Sequence, residues 1–329
     1  VKVACPRCGK PGYLTKVRVR DRYYMRVDHH EGGRRTACYL GRDVEELRRY
    51  VEQLADGSSA FKVVKVPGSD FHIADLLHPR IERLCPKRCT FVEVFGGSGY
   101  MSQTVSRQKF GNVVYNDINN MLVALYRHVK ESPERLAFVA SLLPYSRVFH
   151  GIIKELLREG KDLAPFVVAA LAFYALNASF FGTYDMRGFA YSVNPHNNEA
   201  RAYRSRVASI LKYAERWKDV VIENLDFRDV IKKYDSENTV FYLDPPFVGR
   251  DAETYDIKFT VSDLREMALI LTQIRGAFLL KLDRETYELI SDVLTRDRYV
   301  VETFERTLHM GRVRDRRRDK WLLTLVSSR

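Results

Sequence analysis

From residue 61 onward the chain alternates strand-length apolar runs with helical periodicity, and few architectures accept that pattern. The runs are Phe91–Phe95, Val113–Tyr115, Val220–Ile222, Val240–Leu243 and Ala277–Leu282, with helical spacing at Met121–Val129 and Leu264–Ile274 between them. A strand covered on both faces reads as a continuous apolar run, and parallel neighbours need a crossover that is usually a helix. The pattern therefore predicts an α/β fold with a mainly parallel sheet and helices on its faces. The last runs, Arg298–Phe304 and Lys320–Val326, have no helix-length segment between them and predict an antiparallel C-terminal hairpin. The stretch from Asn120 to Asp219 is longer than a crossover requires. It reads as a mostly helical insertion ending in a polar, aromatic, glycine-containing loop, Ser179–Arg206. Leu163–Tyr184 carries no charge, but its strongly apolar part stops at Leu176. That is short of the roughly 20 residues that cross a bilayer, so a buried helix starting near Pro165 is predicted.

The first sixty residues read differently. Tyr13–Val19, Arg22–Val27 and Arg35–Leu40 alternate like a small β-ribbon, with Asp28-His29-His30-Glu31-Gly32-Gly33 as a turn between two of them. Asp43–Ala55 has helical spacing, and Asp56-Gly57-Ser58-Ser59 reads as a linker. Residues 1–57 are thus expected to form one module and 61–329 the main domain. Cys5-Pro-Arg-Cys8-Gly9 is a knuckle that can turn two thiolates toward one ion. His29 or His30, together with Cys38, would complete a tetrahedral structural zinc site in a zinc-ribbon-like module. Cys85 and Cys89 read as structural. Five cysteines, an odd number, argue against a secreted disulfide framework. Val1–Gly12 lacks the apolar run of a signal peptide. A soluble, cytoplasmic protein with no membrane partner is expected.

Hydrophobic residues at 46% and charged ones at 29% exclude disorder and fibrous classes. The net charge of +12 is unevenly spread: +5 in residues 1–60, +6 in residues 306–329 and only +1 between them. Basic ends around a nearly neutral middle point to a polyanionic partner.

Two motifs follow strands, where open α/β sheets bind their ligands. Phe95-Gly96-Gly97-Ser98-Gly99 lets the backbone adopt positive φ and approach a ligand closely. Without the third glycine of a dinucleotide loop it is weak evidence of a site when taken alone. The next run ends in Asn116-Asp117. Its carboxylate suits ribose hydroxyls, or equally a cap for the following helix. The second motif is Asp244-Pro245-Pro246-Phe247. Two prolines cannot continue a central strand, so the chain must leave the sheet there with Asp244 at the mouth of the cleft. The combination has a chemical use. An exocyclic amine of adenine is a poor nucleophile because its lone pair is delocalised. A carboxylate and a proline carbonyl that accept its two hydrogens would localise that pair and aim it at an electrophilic methyl. An aromatic face beside them can stack on a base taken out of its duplex. S-Adenosyl-L-methionine would be the methyl donor.

These residues resemble the Dam-like DNA adenine-N6 methyltransferases over about residues 61–329. Phe91-Val-Glu93-Val-Phe95-Gly-Gly-Ser-Gly99 is similar to the family's cofactor loop, which implies cofactor contacts by Glu93, Phe95, Gly96, Gly97, Ser98 and Gly99. Asn116-Asp117-Ile118-Asn119 is similar to the segment whose Asp holds the cofactor ribose. Asn224-Leu-Asp226-Phe227 resembles the one whose Asp binds the cofactor's adenine amine and whose neighbour packs on that ring. Asp244, Pro245, Pro246 and Phe247 match the catalytic motif, with Phe for the usual Tyr. Asn177, Phe181 and Arg187 fall in the region similar to the DNA-reading segment, within a target-recognition insertion at about 131–215. Arg312, Arg314, Arg316, Arg317, Arg318 and Lys320 resemble the family's basic loop and would clamp phosphates.

The resemblance implies a Rossmann-like S-adenosylmethionine-dependent methyltransferase sheet, double-stranded DNA as partner, flipping of the target adenine and direct methyl transfer. A restriction–modification role, with a partner endonuclease, is left open. Pro67-Gly68-Ser69-Asp70 departs from the family, which has a Gly-rich loop ending in Lys. The loop after Phe189 lacks the family's Asn, so its sequence specificity does not carry over. A cytosine-N4 or RNA amine methyltransferase would use the same chemistry. A zinc-containing DNA-binding protein with an inactive methylase fold is the rival from another class. Cytosine-C5 chemistry is disfavoured because no cysteine follows a proline. Nicotinamide chemistry is disfavoured by the missing third glycine.

Overall fold

The computed structural model describes residues 2–4, 11–19, 22–31, 34–41, 64, 70, 73–159, 163–182, 186, 188–194, 196–248, 259–307 and 320–328. Among the sequence expectations, the helix over Asp43–Ala55, its linker, Cys5, Cys8, Arg187 and the arginines from Arg312 to Arg318 lie outside these residues. The chain divides into two compact units, Val1–Pro67 with Ala124–Lys218, and Gly68–Val123 with Asp219–Arg329.

In the first unit, β1 (Lys2–Ala4), β2 (Pro11–Val19), β3 (Arg22–Glu31) and β4 (Arg34–Gly41) form an antiparallel sheet in that order. The expected turn over Asp28–Gly33 is mostly strand, because β3 runs on to Glu31 and only two residues separate it from β4. Side chains of their own strand and of its two neighbours hold these turn-prone residues in the sheet. The buried Asp28 accepts a hydrogen bond from Thr15 Oγ1 at 2.7 Å and pairs with Arg26 at 3.0 Å and Arg35 at 3.4 Å.

In the second unit α1 (Ala74–Arg83) precedes β5 (Cys89–Glu93), α2 (Tyr100–Thr104) and β6 (Phe110–Asn116). The unit boundary falls within α3 (Asn120–Glu131). The rest of the insertion belongs to the first unit. It comprises α4 (Pro133–Leu142), α5 (Arg147–Arg158), α6 (Pro165–Ala178), a single 3-10 turn (Phe180–Gly182) and α7 (Glu199–Trp217). Pro133 and Pro165 open their helices, where a missing N–H costs nothing. α6 is buried continuously from Ala169 to Ala178, as its uncharged sequence required. Among the described residues no helix is long and apolar enough to cross a membrane. The loop expected to reach Arg206 ends earlier. Asn198 caps α7 by accepting the Arg201 N–H at 2.8 Å, and a helix-favouring sequence follows.

The chain returns to the second unit with β7 (Val220–Glu223), α8 (Phe227–Tyr234), β8 (Thr239–Leu243), α9 (Val261–Leu271), β9 (Ala277–Asp283), α10 (Arg284–Glu288), β10 (Val300–Thr307) and β11 (Lys320–Ser327). Every apolar run predicted as a strand forms one. They join in a seven-stranded sheet of order β10-β11-β9-β8-β5-β6-β7. The α/β expectation holds: β7, β6, β5, β8 and β9 are parallel, and β11 and β10 add the antiparallel hairpin. Crossovers run outward in opposite directions from β5, so the C-terminal ends of β5 and β8 flank a topological switch point.

Side-chain alternation then separates two jobs. Val92, Val94, Phe241, Leu243, Leu280 and Leu282 point to a dry face packed by α8, α9 and α10. Glu93, paired with Tyr242 in the register, and Lys281 belong to the other face. Arg80 of α1 ties to Glu302 of β10 through a bidentate pair at 2.7 and 2.9 Å. Cys85 and Cys89, which the cysteine count did not pair, form a disulfide just ahead of β5.

Candidate active site

Strand β5 stops at Glu93, two residues before the apolar run ends. The backbone then turns sharply, with Gly96 N–H donating to Asn116 O at 2.7 Å and Gly99 N–H to Gly96 O at 2.7 Å. Gly97 and Gly99 have φ of 49° and 60°, in the left-handed region that disfavours a side chain. At Gly96 the constraint is space, since a Cβ would lie 2.1 Å from the buried ring of Tyr115. Tyr115 also donates from its hydroxyl to Gly97 O at 3.1 Å, and Gln103 Nε2 donates to Gly99 O at 3.0 Å.

Asp117, just past β6, is built into the same loop. Its Oδ2 accepts the Gly97 N–H at 2.7 Å and its Oδ1 the Asn119 N–H at 2.8 Å. The helix-capping role that competed for this residue falls to Asn119, whose Oδ1 accepts the Met121 N–H at 2.9 Å. Burial raises the Asp117 carboxyl to about 6 against these two N–H bonds. Glu93 is also buried, and accepts the Ser102 N–H at 2.8 Å. Burial pushes it up to about 8, so it is largely neutral at pH 7.

Asn116 connects this loop to the next strand end. Its side chain donates to Val94 O at 2.9 Å and Leu225 O at 3.0 Å, and accepts the Leu225 N–H at 2.9 Å. That places Asp226 and Phe227 at the head of α8. Asp226 caps the helix through the Arg228 N–H at 2.9 Å and pairs with the Arg228 guanidinium at 3.1 Å. Phe227 lies 5.9 Å from Phe95, and Phe259 completes the aromatic group at 5.7 Å from Phe95. Residues from three separate motifs thus meet beyond the ends of β5, β6 and β7.

Beyond β8, Pro245 is buried, and Asp244, Pro246 and Phe247 are half-buried. The Asp244 carboxylate meets a side chain that sequence reading passed over. Lys281, inside the apolar run of β9, places Nζ 2.5 Å from Asp244 Oδ2 and 2.5 Å from Asp70 Oδ1. The Tyr242 hydroxyl donates to the other oxygen of Asp70 at 2.7 Å. One ammonium therefore sits between two carboxylates, with a phenol closing the far side. Burial alone would lower the Lys281 ammonium. The Asp244 and Asp70 carboxylates outweigh it and hold the group above the usual lysine range. Burial, Asp70 and Asp244 all push the Tyr242 phenol well above its ordinary value, which keeps it a donor. The signal in the sequence was a lysine interrupting a core strand, which seldom occurs without a buried partner. Asp70, noted only as a departure from the family, is that partner.

Of the remaining expected site residues, those that are described, Asn177, Phe181, His29 and Cys38, lie in the other unit. Asn177 is buried in α6, where Nδ2 donates to Phe173 O at 2.9 Å. Phe181 belongs to the single turn Phe180–Gly182. His29 is buried on β3. The register pairs Val27 with Cys38 and His29 with Thr36, so His29 and Cys38 share a sheet face. His30 is exposed, its ring set edge-on to Tyr13 at 6.3 Å. Among the described residues no group of three or more His, Cys, Asp or Glu side chains is arranged to hold a metal.

The sequence profile of the D12 class N6 adenine-specific DNA methyltransferases matches residues 75–266. The Type II methyltransferase M1.LlaDCHI of Lactococcus lactis subsp. cremoris is 26% identical over 180 residues. That match covers 52% of this chain and 62% of the relative's length. Among solved structures, precorrin 8W decarboxylase of Methanobacterium thermoautotrophicum aligns with a TM-score of 0.34 and 14% identity, over 80% of this chain and 93% of that one. SMU.776 complexed with SAH aligns with a TM-score of 0.33 and 11% identity, over 96% and 58%.

Proposed function

The chain belongs to the D12 class N6 adenine-specific DNA methyltransferase family, and we propose on that premise that it methylates the exocyclic amine of adenine in double-stranded DNA. The observation that carries this reading is Asp244, held beyond the end of β8 by Lys281, with β8 paired to β5, the strand that leads into the glycine loop. The base leaves the duplex and stacks on Phe247. Asp244 and the Pro245 carbonyl accept the two amine hydrogens, which localises the nitrogen lone pair. Proline suits the second acceptor because it brings no competing N–H. A carboxylate has about four acceptor sites, so Asp244 can serve the amine while bound to Lys281. When bound, S-adenosylmethionine would supply the methyl group to the amine nitrogen that Asp244 and the Pro245 carbonyl orient, and the proton that the nitrogen then sheds would pass to solvent at the partly exposed Asp244. No covalent enzyme–base intermediate is required.

The residues fit S-adenosylmethionine, which supplies an electrophilic methyl group when bound. The loop from Phe95 to Gly99 has no space for a Cβ at Gly96 and has left-handed backbone at Gly97 and Gly99, as close backbone approach requires. Asp117 is the acceptor for ribose hydroxyls. Phe227 offers a ring face beside Phe95, and Asp226 an acceptor for an adenine amine. Glu93 lines the loop and accepts the Ser102 N–H. Phe181 and Arg187 read the DNA, while Asn177, expected to do so, is fully buried and bonded to Phe173 O and supports that segment from within α6. Arg312, Arg314, Arg316 and Arg317 grip its phosphates. The N-terminal module of residues 1–57 adds a second grip, with a structural zinc on Cys5, Cys8, His29 and Cys38. The shared face of His29 and Cys38 supports that set and favours His29 over His30. The likeness to a Type II methyltransferase supports a role in restriction–modification.

The test is to incubate unmethylated plasmid with the protein and S-adenosylmethionine, digest it to nucleosides and identify them by mass spectrometry. N6-methyladenine is expected with the wild type and none with Asp244→Ala. Finding only N4-methylcytosine would overturn the base assignment.

A further inference from the structure

Lys281 is among the least expected residues of the sheet. It lies in a central strand between Leu280 and Leu282, both fully buried. Its own side chain is 4% exposed and that of Asp70 is 7% exposed, whereas that of Asp244 is 19% exposed. Exposure thus rises along the group toward the one carboxylate that a substrate can meet. An ion pair buried this deeply is weak as a stabilising device, because desolvation cancels most of the attraction and apolar residues of equal volume do as well. Its use is better sought in what it does to Asp244. The groups facing that carboxylate across the strand ends are Lys281 from β9, Asp70 from the segment before α1, Tyr242 from β8 and Glu93 from β5. Lys281 is the cation among these four. Without it, Asp70 and Asp244 would be two carboxylates in one low-dielectric site, and one of them would take up a proton.

We propose that Lys281 is a positioning residue for methyl transfer, clamped between Asp70 and Asp244 so that the Asp244 carboxylate stays ionised and fixed as an acceptor for the amine. This rests on the reading of Asp244 given above. A protonated Asp244 would present a donor where the amine needs an acceptor, so the rate would fall as the group takes up its proton. Lys281 and Asp70 touch neither base nor methyl donor in this arrangement and act through Asp244 alone. Asp70 anchors the ammonium from behind, with its second oxygen occupied by Tyr242.

The test compares wild type, Lys281→Met, Lys281→Arg and the double variant Asp70→Asn/Lys281→Met. For each, kcat and KM for adenine methylation are measured from pH 5 to 9. Removing a cation in contact with a carboxylate moves its titration by about one unit or more. Lys281→Met should therefore shift the acid limb of kcat upward by about that much and cut kcat about tenfold below the limb. KM for DNA should change little. Lys281→Arg should return the limb toward its wild-type position. The double variant should recover most of the loss, because it removes the carboxylate that competes with Asp244 for charge. An unmoved limb in Lys281→Met, or a double variant worse than the single one, would overturn the proposal in favour of a purely structural pair. Should Lys281→Met fail to fold, the double variant, with one charge of each sign removed, and Lys281→Arg still decide the point. If the wild type methylates no base, the functional reading fails. Carbon-13 carboxyl NMR of aspartate-labelled protein then tests the clamp separately, since the Asp244 resonance should titrate at higher pH in Lys281→Met than in wild type, and an unchanged titration overturns it.

Discussion

Replacing Glu93 by Gln should stabilise the protein at neutral pH, and the gain should depend on pH in one direction only. Glu93 is buried at the end of β5, and its hydrogen bond from Ser102 N–H does not offset the loss of water. Burial raises its carboxyl from 4.5 to about 8. In the unfolded chain it ionises near the ordinary value. Below pH 4.5 the group is protonated in both states and contributes no pH-dependent cost. Between 4.5 and about 8 the native state holds a proton that the unfolded state has released, so stability falls steadily as pH rises. Above about 8 both states are ionised and the loss levels off. At pH 7 the gap of about 2.5 units corresponds to on the order of 3 kcal/mol, at 1.36 kcal/mol per unit.

Glutamine is neutral throughout and keeps an oxygen for the Ser102 N–H. Its amide needs an acceptor of its own, which takes back about 1 kcal/mol. A net gain of about 2 kcal/mol at pH 7 should raise Tm by roughly 4–8 °C for a unit of this size. Thermal unfolding followed by circular dichroism from pH 5 to 9 reads the effect directly. The difference in Tm between variant and wild type should be small at pH 5, grow to pH 8 and then hold. A difference that is flat across this range, or that shrinks as pH rises, would refute the reasoning. The same change should weaken S-adenosylmethionine binding, since Glu93 lines the proposed cofactor loop. Stability and function would then trade against each other at a single side chain.

Gly96→Ala should destabilise by about 1–3 kcal/mol, because its Cβ would strike the buried Tyr115 ring and that ring cannot swing away. Calorimetry should show weakened cofactor binding as well, and Tyr115→Val, which removes the obstructing ring atoms, should cancel most of the added cost. Neutralising Arg312, Arg314 and Arg316 together should weaken binding to all duplexes alike and lower the salt slope by about 3, close to 0.9 per lost phosphate contact. A changed sequence preference at unchanged affinity would count against a phosphate clamp.

The parallel sheet was legible because strands covered on both faces leave continuous apolar runs, and every such run became a strand. The same rule misplaced the end of β5. Phe95 is apolar because it packs on Phe227 and Phe259 beyond the sheet, and an aromatic in that role looks no different from a strand residue. The turn expected at Asp28–Gly33 failed for a related reason. Asp and His favour turns in isolation, but Thr15, Arg26 and Arg35 reach Asp28 from the strands and hold it in the ladder. The glycine loop and Asp-Pro-Pro-Phe were legible because close backbone approach and strand exit restrict composition locally. What could not be read was the charge that completes the site. Asp70 and Lys281 stand 211 residues apart in sequence, and neither lies in a recognisable motif. Taken singly, Asp70 looked like a lost contact and Lys281 like a blemish in a core strand. Two such faults of opposite sign can cancel only when the fold brings them together. A buried lysine in a core strand and an unexplained aspartate ahead of a helix are therefore better read as a pair to be sought than as separate exceptions.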